Sequence, residues 1–192
     1  MKTIMKRALL PTVLLSFSSL AFAGSQTYTI DFEQYPEFTQ ITNQYAAEQV
    51  SFTNALQLVA PDYDYFDYPP SSGSGVITND PNDPLEVLFT PGAVNISGYY
   101  SAPDGLVVTA YDGLGNVLAT FAGAGTNMAN APFTITSATT GISWIAISAT
   151  DGADSETVDD LTYTTTPEPG TFLLLGSGAL GLAGLLRRKL VR

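Results

Sequence analysis

Cysteine and histidine are missing from all 192 residues, and only seven residues are Lys or Arg. Those seven lie at the two ends: Lys2, Lys6 and Arg7, then Arg187, Arg188, Lys189 and Arg192. From Gly24 to Leu186 there is no cationic side chain. Each absence excludes a class of chemistry. Without Cys there are no disulfides, and without Cys or His there is no zinc site built from them. Ser-His-Asp, Cys-His and Schiff-base lysine catalysis need residues that this stretch does not have. Binding to nucleic acid or to anionic headgroups needs cationic contacts with phosphate, so both are excluded as partners. Acid-base catalysis would fall to paired carboxylates alone, and no pocket motif accompanies any such pair. The chain therefore reads as non-enzymatic.

What is present is acid. All eighteen acidic residues except Glu168 lie within residues 24–166. A carboxylate with no basic neighbour must face water, accept backbone N–H groups, take up a proton or hold a metal ion. The ion that suits several carboxylate and carbonyl oxygens is calcium, in a structural role. The alternative is a solvated, mutually repulsive surface that keeps the protein soluble.

The two ends differ from the middle. Residues 1–23 have a basic start, an apolar run from Ala8 to Leu20 and the small-residue site Ala21-Phe22-Ala23. This is the pattern of a secretory signal peptide, with cleavage expected after Ala23 and export through the Sec pathway. At the other end, Thr171–Leu186 is uncharged. As a helix its sixteen residues would rise about 24 Å, a little short of a bilayer core of about 30 Å. The basic side chains of Arg187, Arg188 and Lys189 can reach back to the headgroups and close that gap. They also keep the tail on the cytoplasmic side, with the acidic part outside. Small residues four apart, Ser177 with Gly181 and Ala179 with Ala183, suit packing against another helix.

Pro167-Glu168-Pro169, then the apolar helix, then Arg187-Arg188-Lys189, resembles the PEP-CTERM sorting signal of Gram-negative bacteria. The preceding residue, often Val in that family, is Thr166 here. The resemblance covers residues 167–192. It implies recognition by an exosortase, a membrane-embedded cysteine-type protease, and association with exopolysaccharide in a biofilm or matrix. It also implies transient anchoring in the inner membrane before the product becomes periplasmic, surface-bound or extracellular. The two prolines hold the motif extended and accessible.

Residues 24–166 are long enough for one domain with a real core. Strand patterns recur, beginning with "TYTIDFE", where Tyr28, Ile30 and Phe32 alternate with polar residues. "GLVVTAYDGLGNVLATF" predicts a hairpin with Asp112–Asn116 as its loop. Only "TNQYAAEQ", Thr42–Gln49, suggests helix, for one or two turns. Nine or ten short strands separated by turns predict an all-β, two-sheet antiparallel sandwich. The pattern resembles jelly-roll, galactose-binding-like domains, in which the first and last strands lie side by side and a structural calcium bridges them.

By that analogy Glu33 and Asp160 are the preferred calcium ligands, with Asp31 and Asp159 second. Asp31 and Glu33 share the polar face of one expected strand. Asp159 and Asp160, as strand neighbours, would point to opposite faces, so at most one would ligate. The alternative is a charged sheet edge that blocks edge-to-edge pairing. A second stretch, "APDYDYFDYPP", interleaves aromatics with acids, the raw material of a sugar-binding surface. Its candidates are Tyr63, Tyr65, Tyr68 and Asp64, against the alternative of a loop folded onto the sandwich. "DGADSETVDD" carries five carboxylates in ten residues but fails the EF-hand pattern at Ala153. It reads as a polar loop that could lend Asp151 or Asp154 to a metal. The function expected is a non-enzymatic matrix or envelope component, with a calcium-dependent carbohydrate-binding module as the alternative.

Overall fold

A computed structural model describes residues 25–61, 68–79, 83–137, 141–150 and 156–165. The expected signal peptide, the sorting motif, the apolar run and the basic tail lie outside the described residues. Among those described, no helix is long and apolar enough to cross a membrane.

The described residues form eleven strands. In chain order they are β1 (Thr27–Ile30), β2 (Gln40–Ile41), β3 (Val50–Thr53), β4 (Ala55–Val59), β5 (Gly75–Asn79) and β6 (Leu85–Ala102). β7 (Leu106–Tyr111), β8 (Val117–Gly123), β9 (Thr126–Thr136), β10 (Ile142–Ala149) and β11 (Thr157–Thr165) follow. Every pairing is antiparallel. A single 3-10 turn, Ala46–Glu48, sits in the stretch where one or two helical turns were expected.

The sandwich is organised around β6. Its first half, Leu85–Phe89, pairs with β3 on one side and β10 on the other. Its second half, Asn95–Ala102, pairs with β11 and β9. One leaf therefore runs β3-β6-β10-β7-β8. The other runs β9-β6-β11, and β11 then meets β1 at one end and β5 at the other, with β4 and β2 beyond β5. Hydrogen bonding is continuous through both leaves because one strand belongs to each.

Period-two alternation decides what goes inside. Leu106, Val108 and Ala110 of β7 are buried, as are Ile145, Ile147 and Ala149 of β10. Leu161 and Tyr163 of β11, Phe133 and Ile135 of β9 and Ile96 of β6 close the core with the other leaf. With no disulfide, this apolar burial is the main stabilising term, at about 25 cal/mol for each Å² removed from water.

Three expectations about elements are corrected. "LEVLFT" and "AVNISGYYS" are one strand, β6, rather than two. "EQVSFTNALQLVA" is two strands, split at Asn54, which turns to φ +56°. β1 stops at Ile30, so Asp31 and Glu33 do not share a strand face. Phe32 takes φ +54°, in the left-handed region, and buries its ring against Tyr45 and Phe52. A bulky residue in the left-handed region is costly, and here burial of the whole ring offsets the cost.

Candidate functional site

The first and last strands do lie side by side, with Thr27 opposite Thr164 and Ile30 opposite Leu161. Just beyond their pairing, three of the four expected calcium ligands converge on the segment Ser71–Gly75. Asp159 Oδ2 accepts the backbone N–H groups of Ser71 (2.8 Å) and Ser72 (2.9 Å). The Ser72 hydroxyl donates to Asp160 Oδ1 at 2.9 Å. Glu33 Oε1 accepts the N–H groups of Ser74 (2.8 Å) and Gly75 (2.7 Å), and its Oε2 accepts the Ser74 hydroxyl at 3.1 Å.

Asp159 and Asp160 reach the same segment because β11 is irregular there. The register against β6 shifts between Asp159 and Thr162, and Asp160 has φ +49°. Strict alternation is thereby broken, which corrects the expectation that the two carboxylates point apart. Asp tolerates the left-handed region better than most residues. Gly75 is required for the approach, since a Cβ there would collide with the Phe32 carbonyl. Asp31 stands outside the group, its Oδ1 accepting the Glu33 N–H at 3.3 Å in a local turn.

The two best-held carboxylates differ in charge preference. Asp159 is only 3% exposed. Burial pushes its carboxyl up, against the amide donors, and the neighbouring Asp160 pushes it further, to about 6. Burial also acts upward on Glu33, but the donors at Gly75 and Ser74 outweigh it and hold this carboxyl below its ordinary range. Beside Glu33 is a cleft of about 290 Å³ lined by Phe32, Tyr35, Glu37 and Ser74. Among the described residues no three metal-ligating side chains group closely enough to hold one ion. Backbone amides supply the compensation that the sequence lacks in Lys and Arg.

Of the aromatic loop, Tyr63, Tyr65 and Asp64 lie outside the described residues, as do Asp151 and Asp154. Tyr68 is half-buried, and the segment is tied to β6 where the Ser101 hydroxyl donates to the Pro69 carbonyl at 3.2 Å.

A different aromatic feature lies on the outward face of the leaf β3-β6-β10-β7-β8. Trp144, the one tryptophan of the chain, is opposite Leu88 on β6 and opposite Tyr111 on β7. Tyr111 in turn is opposite Val117 on β8. The Trp144 and Tyr111 rings stack with centroids 3.8 Å apart and planes 8° from parallel. Leu88 is 37% exposed, Val117 59%, and Leu114 at the adjoining hairpin tip 89%. The result is an apolar row across four strands on the outward face, exposed at Leu88 and Val117 and half-buried at Trp144 and Tyr111. Hydroxyls flank it: Ser51 is opposite Leu88, and Thr109 is opposite Thr120. At its end the Asp112 carboxylate caps the β7–β8 loop, accepting the N–H groups of Leu114 (2.8 Å) and Asn116 (2.9 Å). The Asn116 side chain and backbone hold the Asp112 carboxyl below its ordinary range, so it stays charged.

The pairing of Trp144 with Tyr111 is absent from the sequence-based candidates. The phase of each strand carries the signal: Trp144 alternates with the buried Ile145 and Ile147, and Tyr111 with the buried Ala110. What joins them is the register between β7 and β10, which no local pattern contains.

Residues 165–189 match the family model of the PEP-CTERM protein-sorting motif. The motif marks the chain as an exported exosortase substrate, held at the membrane before processing. No curated protein matches the chain. Solved structures similar to it include CBM35 from Paenibacillus barcinonensis, at 16% identity over 73% of this chain and 99% of that chain, with TM-score 0.41. The CBM22-1 xylan-binding domain of Xyn10C from the same organism is similar at 16% identity over 68% and 92%, with TM-score 0.41. The K3 cleaved adhesin domain of Lys-gingipain from Porphyromonas gingivalis is similar at 15% identity over 74% and 100%, with TM-score 0.37.

Proposed function

We propose that the exported domain is a non-enzymatic component of the extracellular matrix that holds polysaccharide on the outer face of the β3-β6-β10-β7-β8 leaf. The observation that carries this reading is the stacked, half-buried pair Trp144–Tyr111, set on the outward face between the exposed Leu88 and Val117. Sugar rings present flat C–H faces, which pack on aromatic and apolar side chains, while hydroxyls alongside take up their hydrogen bonds. A sheet face gives a rigid, extended footprint suited to a polymer. Affinity electrophoresis of the full chain in non-ionic detergent against matrix polysaccharides tests it. Trp144→Ala should cut retention about tenfold or more, in line with the loss of an aromatic anchor. Equal retention of wild type and variant would refute the assignment.

A second reading is calcium-dependent binding. It draws on the convergence of Glu33, Asp159 and Asp160 on Ser71–Gly75 with no cationic side chain between Gly24 and Leu186. On this reading these carboxylates, which do not surround one point in the structure, draw together around a calcium ion, and millimolar Ca²⁺ added to the chelator-treated protein raises the melting midpoint by mass action. A midpoint unmoved by Ca²⁺ removes it.

A further inference from the structure

We propose that the polysaccharide held on this face carries free amino groups, and is recognised as a cation. The inference rests on the glycan reading above and names the chemical class of its ligand. Three observations point to it. First, no Lys, Arg or His lies anywhere between Gly24 and Leu186, so the face has no side chain with which to pair a uronate, sulfate or phosphate group. Second, the apolar row is bordered by acids. Glu86 stands on the same outward face as Leu88, two residues away on β6, and is opposite Ala146 on β10. That places it diagonally beside Trp144, a separation of about 7–8 Å, within reach for a long side chain. Asp112 directly follows Tyr111 at the other end of the aromatic pair and is held ionised by its loop. Third, the aromatic pair lies between these two carboxylates; each ring uses one face on its stacking partner and leaves the other, and an aromatic face attracts ammonium groups.

An amino sugar fits all three. Its ring packs on the row, its ammonium pairs with Glu86 or Asp112 at the border, and a cation adds attraction to the indole and phenol faces. A second copy of the chain fits poorly as the occupant of this face. All but one of eighteen acids lie in the exported domain, so two copies repel.

Four hexasaccharides titrated calorimetrically into the full chain in non-ionic detergent test the proposal: glucosamine, N-acetylglucosamine, glucose and galacturonate. The glucosamine hexamer should bind about tenfold more tightly than the acetylated and glucose hexamers, as expected for an ammonium added over an aromatic face. The galacturonate hexamer should not bind. Trp144→Ala, which leaves every charge in place, should weaken the glucosamine hexamer at least tenfold. Glu86→Gln, a surface change that does not threaten folding, should narrow the gap between the amine and acetylated hexamers. If the acetylated hexamer binds as tightly as the amine, this inference falls and the glycan reading survives. If the amine hexamer binds the melting-competent Trp144→Ala protein undiminished, the attraction is generic charge and the inference falls. If no hexamer binds at all, the glycan reading falls with it.

Discussion

Asp159 is the residue at which the lack of cations is felt most directly. Its carboxyl is buried, raised to about 6 from an ordinary 3.8, and yet wrapped by amide donors from Ser71, Ser72 and Asp160. Between those two values the folded chain binds the proton more tightly than the unfolded chain does. Stability from this group therefore increases as pH falls from about 7 toward 4, and is lost again as pH rises through 6. Glu33 acts in the opposite sense. Its carboxyl is held below the ordinary value of 4.5, so its contribution is present above that value and disappears as pH falls below it. Melting in chelator-treated buffer should thus show a midpoint that rises from pH 7 to pH 5 and then falls under stronger acid. Asp159→Asn, which cannot titrate, should lose the rise. Asp159→Ala should lower stability by about 1 kcal/mol at every pH, because it strands part-buried amide donors. A wild-type midpoint that falls steadily from pH 7 to 5 would contradict the account of Asp159.

At the scale of elements, what the sequence discloses is what is local. The β7–β8 hairpin is legible outright. Its strands alternate cleanly, Asp112–Asn116 closes it, and Gly115 takes the left-handed φ of +83° that such a loop needs. The sandwich class is legible for the same reason, because alternation and turn spacing repeat along the chain. β6 is not. Two apolar runs with Pro91 and Gly92 between them look like two strands, and only the presence of a leaf on either side makes them one. The same limit applies at Asp31–Glu33 and Asp159–Asp160. Each pair was expected to obey strand alternation. Each departs from it at a residue forced to positive φ by a partner far along the chain, Phe32 by the core and Asp160 by the Ser71–Gly75 segment. The composition did foretell that unpaired carboxylates would need backbone N–H groups, metal or solvent. Which residues would supply those donors depended on a loop 41 positions from Glu33 and 88 from Asp159.

For the molecule as a whole, charge acts over a range that no hydrogen bond covers. Among the described residues there is no Lys, Arg or His, so there is no ion pair to lose when salt is added. There is only repulsion to relieve. At low ionic strength acids tens of ångströms apart still feel each other, whereas at 0.1 M salt the screening length is about 10 Å. The folded state concentrates these charges and the unfolded chain spreads them, so screening favours folding. Raising NaCl from about 10 mM to 500 mM, a range over which the screening length falls from about 30 Å to a few ångströms, should raise the melting midpoint. Proteins held by surface ion pairs lose stability under the same change. The source of the gain is then separable. A rise that follows ionic strength, equal for NaCl and KCl, belongs to the whole charge distribution. An additional rise that needs millimolar Ca²⁺ and disappears in Glu33→Gln belongs to a local ion. A midpoint that falls with NaCl would mean that the acids are compensated in pairs after all, and the asymmetry between the ends and the middle of this chain would have lost its structural meaning.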